Sequence, residues 1–198
     1  MRLFVLARHG ESTLNVEHRV NGDPTVEVPL TARGEEDARA LGGQVAEVPF
    51  DACVHTRFPR SRITAELALG ERVDVPLVEE PLLDDIDVGS LEGEPVERYR
   101  EWKHGHPRDV PFPGGESLDD AARRYAEAFR RLVAGPHRSV LVVCHEIPVR
   151  YALNGASGSD SLDGPAHEIG NAVPYLFDEE ALDRAVRGIE LVVGRIPA

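Results

Sequence analysis

Two short apolar runs that each stop at a histidine constrain the fold more than any other feature of this sequence. Residues 3–7 are followed by Arg8 and His9, and Ser139–Cys144 is followed by His145. Uninterrupted apolar runs of this length are typical of strands buried on both faces of a sheet. Helical periodicity between the runs indicates a layered α/β domain with a largely parallel sheet. In such folds the functional site forms beyond the carboxyl ends of the strands, where both histidines are predicted to lie.

The other elements follow from periodicity and from residues that start or stop helices. Ser117 followed three residues later by Asp120 resembles an N-terminal capping box. The predicted helices are residues 31–48, 61–69, 96–103, 117–133, 146–154 and 179–187, and the further strands are residues 52–55, 172–177 and 189–193. Residues 70–95 and 104–115 are predicted to be irregular. The pattern therefore predicts an α/β fold, a three-layer α/β/α sandwich with a mostly parallel central sheet, in one domain of residues 1–198.

The charge balance limits what the chain can bind. Its 35 acidic and 22 basic residues give a formal net charge of -13 at pH 7. Such a charge argues against non-specific binding to nucleic acid or to an anionic membrane surface. A phosphorylated substrate would therefore require arginines to converge and build a positive field locally.

The cysteines and the N-terminal residues bear on compartment and on metals. Cys53 and Cys144 lie in apolar runs, so we expect two core residues without a disulfide, as in a protein of the reducing cytoplasm. The first apolar run is too short for a secretion signal, and no stretch reaches transmembrane length. No Cys-x-x-Cys spacing is present, and His104 and His106 lie in a Pro- and Gly-rich loop, so no metal site is predicted.

The run Arg8-His9-Gly10 carries residues suited to phosphate chemistry. Arg8 offers a planar fork of donors that fits phosphate oxygens. The same guanidinium disfavours the charged form of His9, and a neutral imidazole is what a nucleophile needs. Gly10 would let a ligand approach the backbone closely. By itself this short motif is equally compatible with a capped turn that carries a surface Arg–His pair.

Several segments together resemble one known family. Residues 8–12, Arg-His-Gly-Glu-Ser, resemble the signature of the histidine phosphatase superfamily, also called the phosphoglycerate mutase-like family. Further segments resemble elements of that family in the same order: residues 55–65, 85–93, 113–117 and 140–145. The segments span almost the whole chain, so together they are far more specific than any one alone. The resemblance implies a phosphoglycerate mutase-like fold.

The resemblance also implies a catalytic set without a metal. His9 is the nucleophile that forms a phosphohistidine, Asp85 is the general acid and base, and His145 is the second catalytic histidine. Arg60 is the implied phosphate-binding arginine. Nearby rivals are Arg57 and Arg62 for the arginine, and Asp84 and Asp87 for the carboxylate. The further candidates for binding phosphate or substrate are Arg8, Gly10, Asn15, Asn21, Gly22 and Glu146.

Two departures from the family pattern bear on the substrate. Glu146 follows the second histidine where the family usually has glycine, and it brings an extra carboxylate near the pocket. Val88 stands where related mutases have tyrosine, and the basic residues after it do not form the mutase pattern. Both departures bear on the leaving group rather than on the histidines.

The sequence therefore favours a phosphomonoesterase of the histidine acid phosphatase type, without metal or cofactor, that hydrolyses a small phosphorylated metabolite. Two alternatives stay open at this point. One is phosphoryl transfer of the phosphoglycerate mutase type, and the other is a non-catalytic module that binds a phosphate ligand. Dimers occur in the family, so a homodimer is compatible with the sequence, although no unpaired apolar stripe requires one.

Overall fold

A five-stranded sheet lies at the centre of the computed structural model, which describes residues 2–194. Its strands are β1 (Leu3–Arg8), β2 (Ala52–His55), β3 (Leu77–Glu79), β4 (Ser139–Cys144) and β5 (Pro174–Asp178). They lie in the order β3-β2-β4-β1-β5, and β5 alone among them pairs antiparallel, with β1. The mostly parallel sheet expected from the sequence is confirmed.

Helices cover both faces of this sheet. Within residues 2–194 they are α1 (Thr13–Val16), α2 (Ala32–Gln44), α3 (Pro59–Leu69), α4 (Val96–Gly105), α5 (Leu118–Ala134), α6 (Glu146–Ala156) and α7 (Glu179–Val193). Helices α2 and α3 pack on one face, and α5, α6 and α7 pack on the other, which confirms the three-layer sandwich. The capping box of α5 is confirmed too, since the Ser117 hydroxyl accepts from the backbone N–H of Asp120 at 3.0 Å.

Alternation along the strands divides the apolar side chains between two cores. In β1, Phe4 and Leu6 face α5, α6 and α7, whereas Val5 and Ala7 face α2 and α3. Cys53 and Cys144 are buried as free thiols on opposite faces of the sheet, as expected for core residues. No helix in the described part of the chain has both the length and the apolar content to cross a bilayer.

The strand predicted at residues 189–193 is wrong, because these residues form the last turns of α7. The β-branched and apolar content of this run favours a strand locally. However, Leu182, Ala185, Val186 and Ile189 continue one buried stripe at helical spacing. Burial of that stripe against α5 and α6 outweighs the local β propensity, as tertiary packing often does.

Two short elements and several boundaries also differ from the sequence predictions. β3 has three residues, all exposed, so it has no burial pattern to read. α1 has four residues and is held by a capping box between Ser12 and Asn15. The long helix predicted at residues 31–48 ends at Gln44, and the strand predicted at 172–177 begins at Pro174. Element type was therefore clearer than element ends, as expected for frayed termini.

The sheet order brings the two histidine-terminated strands together. β1 and β4 are parallel neighbours in a register that pairs Arg8 with Cys144. His9 and His145 each follow by one residue, and the His9 N–H donates to the Cys144 carbonyl at 2.9 Å. Both histidines therefore lie at the carboxyl edge of the sheet, as predicted.

Candidate active site

A cavity of about 540 Å³ opens at this edge of the sheet. Its inner end is lined by His9, Arg8, Arg60, Asp85 and Asn15, and its outer part by side chains of α4 and α6. The imidazole rings of His9 and His145 meet edge to face with centroids 5.4 Å apart. His9 and Glu146, more than one hundred positions apart along the chain, thus line one pocket of a size typical for metabolites, whereas His145 is buried behind its wall.

His9 is held with one ring nitrogen facing the cavity. Its Nδ1 lies 2.7 Å from the carbonyl oxygen of Gly10, which can only accept, so Nδ1 carries the proton. Nε2 is then the acceptor, and it receives a hydrogen bond from Arg60 Nε at 2.9 Å. Asn171 donates to the His9 carbonyl at 2.8 Å and fixes the backbone. Burial, and after it the charges of Arg60 and Arg8, hold the pKa of His9 well below its usual value, so the ring is neutral.

Arg60 lies at the start of α3, and its guanidinium is the hub of the inner site. Besides His9, it donates to the side chain and to the backbone carbonyl of Asn21, and it lies 3.3 Å from Asp85 Oδ2. The guanidinium lies over the Phe58 ring, 4.3 Å from its centroid, and this cation–π contact stabilises the buried charge. Burial lowers the pKa of Arg60 to about 10, so the group stays charged at neutral pH.

The two rival arginines point elsewhere. Arg57 pairs with Asp84 at 2.5 Å, Arg62 is exposed and pairs with Glu66 at 2.9 Å, and neither arginine lines the cavity. The spacing that anchors the family segment on Arg60 therefore agrees with the position of this side chain in the pocket. Arg57 precedes α3, and Arg62 lies two residues after Arg60 and therefore on the exposed face of the helix.

Among the three neighbouring carboxylates, Asp85 is the one that reaches the histidines. Its Oδ2 lies 3.5 Å from His145 Nδ1. Asp84 is buried against Arg57, and Asp87 is exposed and accepts from the Gly89 N–H at 2.9 Å. Burial raises the pKa of Asp85 against the opposing effect of Arg60, which favours retention of a proton on this carboxyl group.

His145 is fully buried, and its Nε2 contacts a residue that the sequence did not indicate. The Thr56 hydroxyl shares a hydrogen bond with His145 Nε2 at 2.9 Å and another with the Ser61 hydroxyl at 2.7 Å. The Phe58 ring packs edge to face on the imidazole at 4.6 Å. Burial and Arg60 lower the pKa of His145 well below its usual value, so the ring is neutral in this site. No local pattern marks Thr56, because its partner lies 89 positions away.

Arg8 and Glu146 face each other across the inner end of the cavity. Arg8 donates to the Ile169 carbonyl at 3.0 Å and pairs with Glu146 at 3.1 Å. Its Nε is buried and has no hydrogen-bond partner among the described residues. Glu146 also pairs with Arg150 one helical turn later, at 3.2 Å. The unusual carboxylate thus connects two arginines, and Arg150 was not singled out by the sequence.

The remaining candidates divide between the cavity wall and its support. Asn15 and Asn21 line the cavity, and Asn15 Oδ1 also accepts from the Ser12 N–H at 3.1 Å. Gly22 lines the cavity, but its N–H donates to Glu92 at 2.6 Å and so is not directed at a ligand. Gly10 does not line the cavity, so the expectation that it lets a ligand approach the backbone is wrong.

Gly10 gives close approach to protein backbone rather than to a ligand. A Cβ at this position would lie 2.3 Å from the Gly34 carbonyl oxygen of α2, and the Gly10 N–H donates to the Thr64 hydroxyl at 2.9 Å. Gly34 is equally restricted, since its own Cβ would meet the Glu11 carbonyl oxygen at 2.1 Å. The glycine therefore seats the start of α2 against the loop after His9, and it does not line the cavity.

The aromatic and histidine side chains of the outer segment also have definite places. Trp102 stacks on His106 at 3.7 Å and packs against the core. Tyr99 stacks on Phe112 and also lines the cavity. Within residues 2–194, no cluster of histidine, cysteine, aspartate and glutamate has the arrangement needed to hold a metal ion.

Comparison with known proteins agrees with this arrangement. Residues 4–187 match the model of the histidine phosphatase superfamily (branch 1). The chain is 32% identical to 2,3-bisphosphoglycerate-dependent phosphoglycerate mutase 2 of Gloeobacter violaceus, over 91% of this chain and 87% of that protein. It is 30% identical to the uncharacterized phosphatase PhoE of Bacillus subtilis, over 81% and 80% of the two chains. The structure of Bacillus stearothermophilus YhfR superposes with a TM-score of 0.78 at 27% identity, covering 89% of this chain and 90% of that one.

The family match spans the sheet, both histidine-terminated strands and the helices that line the cavity. The relatives carry the names of phosphatases and of mutases. The chain belongs to the histidine phosphatase superfamily, branch 1.

Proposed function

We propose that this protein is a metal-independent phosphomonoesterase of the histidine acid phosphatase type, with His9 as nucleophile and Asp85 as general acid and base. The observation that carries the proposal is the orientation of His9. Its protonated Nδ1 is bound to a carbonyl and its unprotonated Nε2 faces the cavity beside Arg60. A neutral imidazole with its lone pair on Nε2 has the form that a nucleophile requires, and a bound phosphoryl group would take the place of Arg60 Nε at that lone pair.

In the first step His9 Nε2 attacks phosphorus, a P–N bond forms, and the bond from phosphorus to the ester oxygen breaks. Charge develops on the equatorial phosphoryl oxygens. Arg8, Arg60 and Asn15 line the place where these oxygens would lie. Preorganised donors of this kind commonly contribute on the order of 10²–10³ each in rate.

Asp85 supplies the proton that the leaving oxygen needs. Burial raises the pKa of this carboxyl group, so a larger fraction is protonated when the substrate arrives. After the alcohol leaves, the Asp85 carboxylate takes a proton from water as the water oxygen bonds to phosphorus. The P–N bond then breaks, inorganic phosphate forms, and His9 and Asp85 return to their starting states.

The test is turnover of p-nitrophenyl phosphate by the wild type and by His9→Asn. His55→Asn is a matched control, because His55 also ends a strand and is buried, and its Nδ1 likewise lies 2.8 Å from the next residue's carbonyl, but it does not line the cavity. We expect His9→Asn to lose turnover and an acid-labile phosphoenzyme, and His55→Asn to retain both. Equal turnover by wild type and His9→Asn would refute the proposal.

Phosphoglycerate mutase activity is the second candidate, because a relative at 32% identity bears that name. A mutase returns the phosphoryl group to its substrate before water takes it. Incubation with 3-phosphoglycerate, followed by ³¹P NMR, separates the two candidates. Efficient conversion to 2-phosphoglycerate without release of phosphate would favour the mutase, whereas release of phosphate favours the phosphatase. A module that only binds phosphate would show neither.

A further inference from the structure

The segment that carries Asp85 is only partly held by packing. Leu83 and Ile86, on either side of Asp85, are buried in the core and anchor the segment at these two points. Between them, Asp85 lines the cavity that holds His9 and also a second cavity, of about 460 Å³. Because both cavities border Asp85, the position of this residue depends on the hydrogen bonds that its backbone makes.

Arg124 of α5 supplies those hydrogen bonds. Its Nη1 donates to the carbonyl oxygens of Leu82 at 3.0 Å and Asp84 at 2.7 Å, and its Nη2 donates to the carbonyl oxygen of Asp85 at 2.8 Å. The donors of a guanidinium lie in one plane at fixed angles. Three carbonyls bound by one such group therefore fix the path of the backbone through Asp85.

Glu116 holds both Arg124 and the same segment. Its carboxylate accepts from Arg124 Nε at 3.0 Å and from the backbone N–H of Asp87 at 3.0 Å. The N–H of Glu116 itself donates to the Asp87 carbonyl at 3.0 Å. Contacts from Arg124 to Asp85 and from Glu116 to Asp87 thus close a ring of hydrogen bonds around the carboxylate-bearing segment.

Residues 113–117 bring Glu116 to this place by close backbone packing. A Cβ on Gly115 would lie 2.3 Å from the Asp87 carbonyl oxygen. Gly89 has a φ of +52°, and a Cβ there would lie 2.3 Å from the Pro113 carbonyl oxygen. The sequence of residues 113–117 resembles a family element, but the chemistry described so far gives it no role.

The chemistry of Asp85 is sensitive to its position. Its Oδ2 lies 3.3 Å from Arg60 and 3.5 Å from His145 Nδ1 at the inner end of the cavity. A displacement of about 1 Å in a catalytic arrangement can cost on the order of 10²-fold in rate. His9 and Arg60 belong to other elements, so a shift of the Asp85 backbone would impair proton transfer and leave the nucleophile in place.

We propose that Arg124, fixed by Glu116, is the positioning residue for Asp85 and holds it where it can protonate the leaving oxygen. The proposal rests on the proposed phosphomonoesterase function. Neither Arg124 nor Glu116 lines the cavity that holds His9, so both act through Asp85 and not on the substrate. Loss of Arg124 should therefore matter most for a basic leaving oxygen, which cannot depart without a proton.

The test compares kcat/KM for phenyl phosphate, whose leaving oxygen is strongly basic, with kcat/KM for p-nitrophenyl phosphate, whose leaving oxygen is weakly basic. Arg124→Met should lower the value for phenyl phosphate on the order of tenfold more than the value for p-nitrophenyl phosphate. A merely structural role would lower both values by the same factor, and that result would overturn the proposal. Wild-type values for both substrates would overturn it as well.

The double variant Asp85→Asn/Arg124→Met shows whether Arg124 acts through Asp85. Asp85→Asn alone should lower kcat/KM for phenyl phosphate on the order of 10²-fold or more, and more than for p-nitrophenyl phosphate. If the two residues act as a unit, adding Arg124→Met to Asp85→Asn should leave the ratio of the two kcat/KM values unchanged. A further tenfold change in that ratio would contradict the proposal.

One control and two milder substitutions complete the experiment. Arg123→Gln alters an exposed neighbour in α5 that pairs with Asp120, and it should keep the wild-type ratio. If Arg124→Met does not fold, Arg124→Lys and Glu116→Gln decide the question. Lysine keeps the charge without the planar fork, and glutamine keeps an oxygen for the Asp87 N–H but weakens the pair with Arg124. Both should shift the ratio in the same direction as Arg124→Met, and a wild-type ratio in both would overturn the proposal.

Failure of this proposal is distinguishable from failure of the proposed function. If turnover depends on His9 and Asp85→Asn shows the leaving-group effect while the Arg124 variants do not, the phosphatase stands and the positioning role is refuted. If Asp85→Asn lowers both substrates equally, Asp85 is not the general acid, and the role of Arg124 is refuted with it. If turnover does not depend on His9, the catalytic proposal itself is refuted.

Discussion

The contact between α2 and α3 can be tested by substituting two adjacent glycines. Gly42 and Gly43 both lie in the last turn of α2. A Cβ on Gly42 would lie 2.4 Å from the backbone carbonyl oxygen of Ala68 in α3, whereas a Cβ on Gly43 would have no atom within 4 Å. Because the obstructing atom belongs to backbone, it cannot rotate away. To open that 2.4 Å separation to 3.0 Å, the helices would have to move apart by 0.6 Å.

Alanine at either site gains the same helix propensity, about 0.5–1 kcal/mol. Gly43→Ala should therefore stabilise the protein by up to that amount. Gly42→Ala gains the same but also overpacks the interface, which costs about 1–3 kcal/mol. The propensity gain cancels in the comparison, so Gly42→Ala should be less stable than Gly43→Ala by about 1–3 kcal/mol.

Urea denaturation followed by circular dichroism measures this difference directly, and equal slopes would show that the same transition is compared. In thermal unfolding the gap should be about 2–4 °C for each kcal/mol in a chain of this size. If Gly42→Ala is as stable as Gly43→Ala, α2 and α3 do not approach each other as closely at Gly42 as they do in this structure. The packing that places Arg60 at the start of α3 would then need revision.

Three further predictions concern the site and its support. Glu146→Gln removes the carboxylate that competes with phosphate for Arg8, so the inhibition constant of inorganic phosphate should fall by about 1.5- to 5-fold. An unchanged or higher inhibition constant would contradict this. Arg2→Met removes hydrogen bonds to several carbonyls at and beyond the end of α5, and the free energy of unfolding, measured in urea, should fall by about 1.5–3 kcal/mol rather than remain unchanged. The pKa values of His9 and His145 are lowered in the fold, mainly by burial, so protons bind the unfolded chain preferentially below the ordinary value of 6.5. The free energy of unfolding should therefore decrease as the pH falls below that value, by about 1.4 kcal/mol per pH unit for each histidine. Urea titrations at several pH values should show that the free energy of unfolding depends less steeply on pH in His9→Asn.

Local sequence was sufficient where periodicity and burial agree. The strands ending at His9 and His145 are recognisable because a strand buried on both faces is apolar at every position. The capping box at Ser117 is equally local, since all its partners lie within one helical turn. Residues 189–193 show the limit of this reasoning, because the partners that make them helical belong to α5 and α6.

The sequence by itself determined the layered α/β fold and the position of two histidines at strand ends. It also narrowed the arginine and the carboxylate to a few neighbouring candidates. Only the tertiary structure placed Arg60 rather than Arg57 in the cavity, and Asp85 rather than Asp84 beside His145. The apolar patterns of helices and strands repeat every few residues along the chain, so a short stretch of sequence is enough to predict them. The direction of a single loop side chain is not encoded locally in this way. It depends on which strands lie next to each other in the sheet, and so does the contact of Thr56 with His145 across 89 positions.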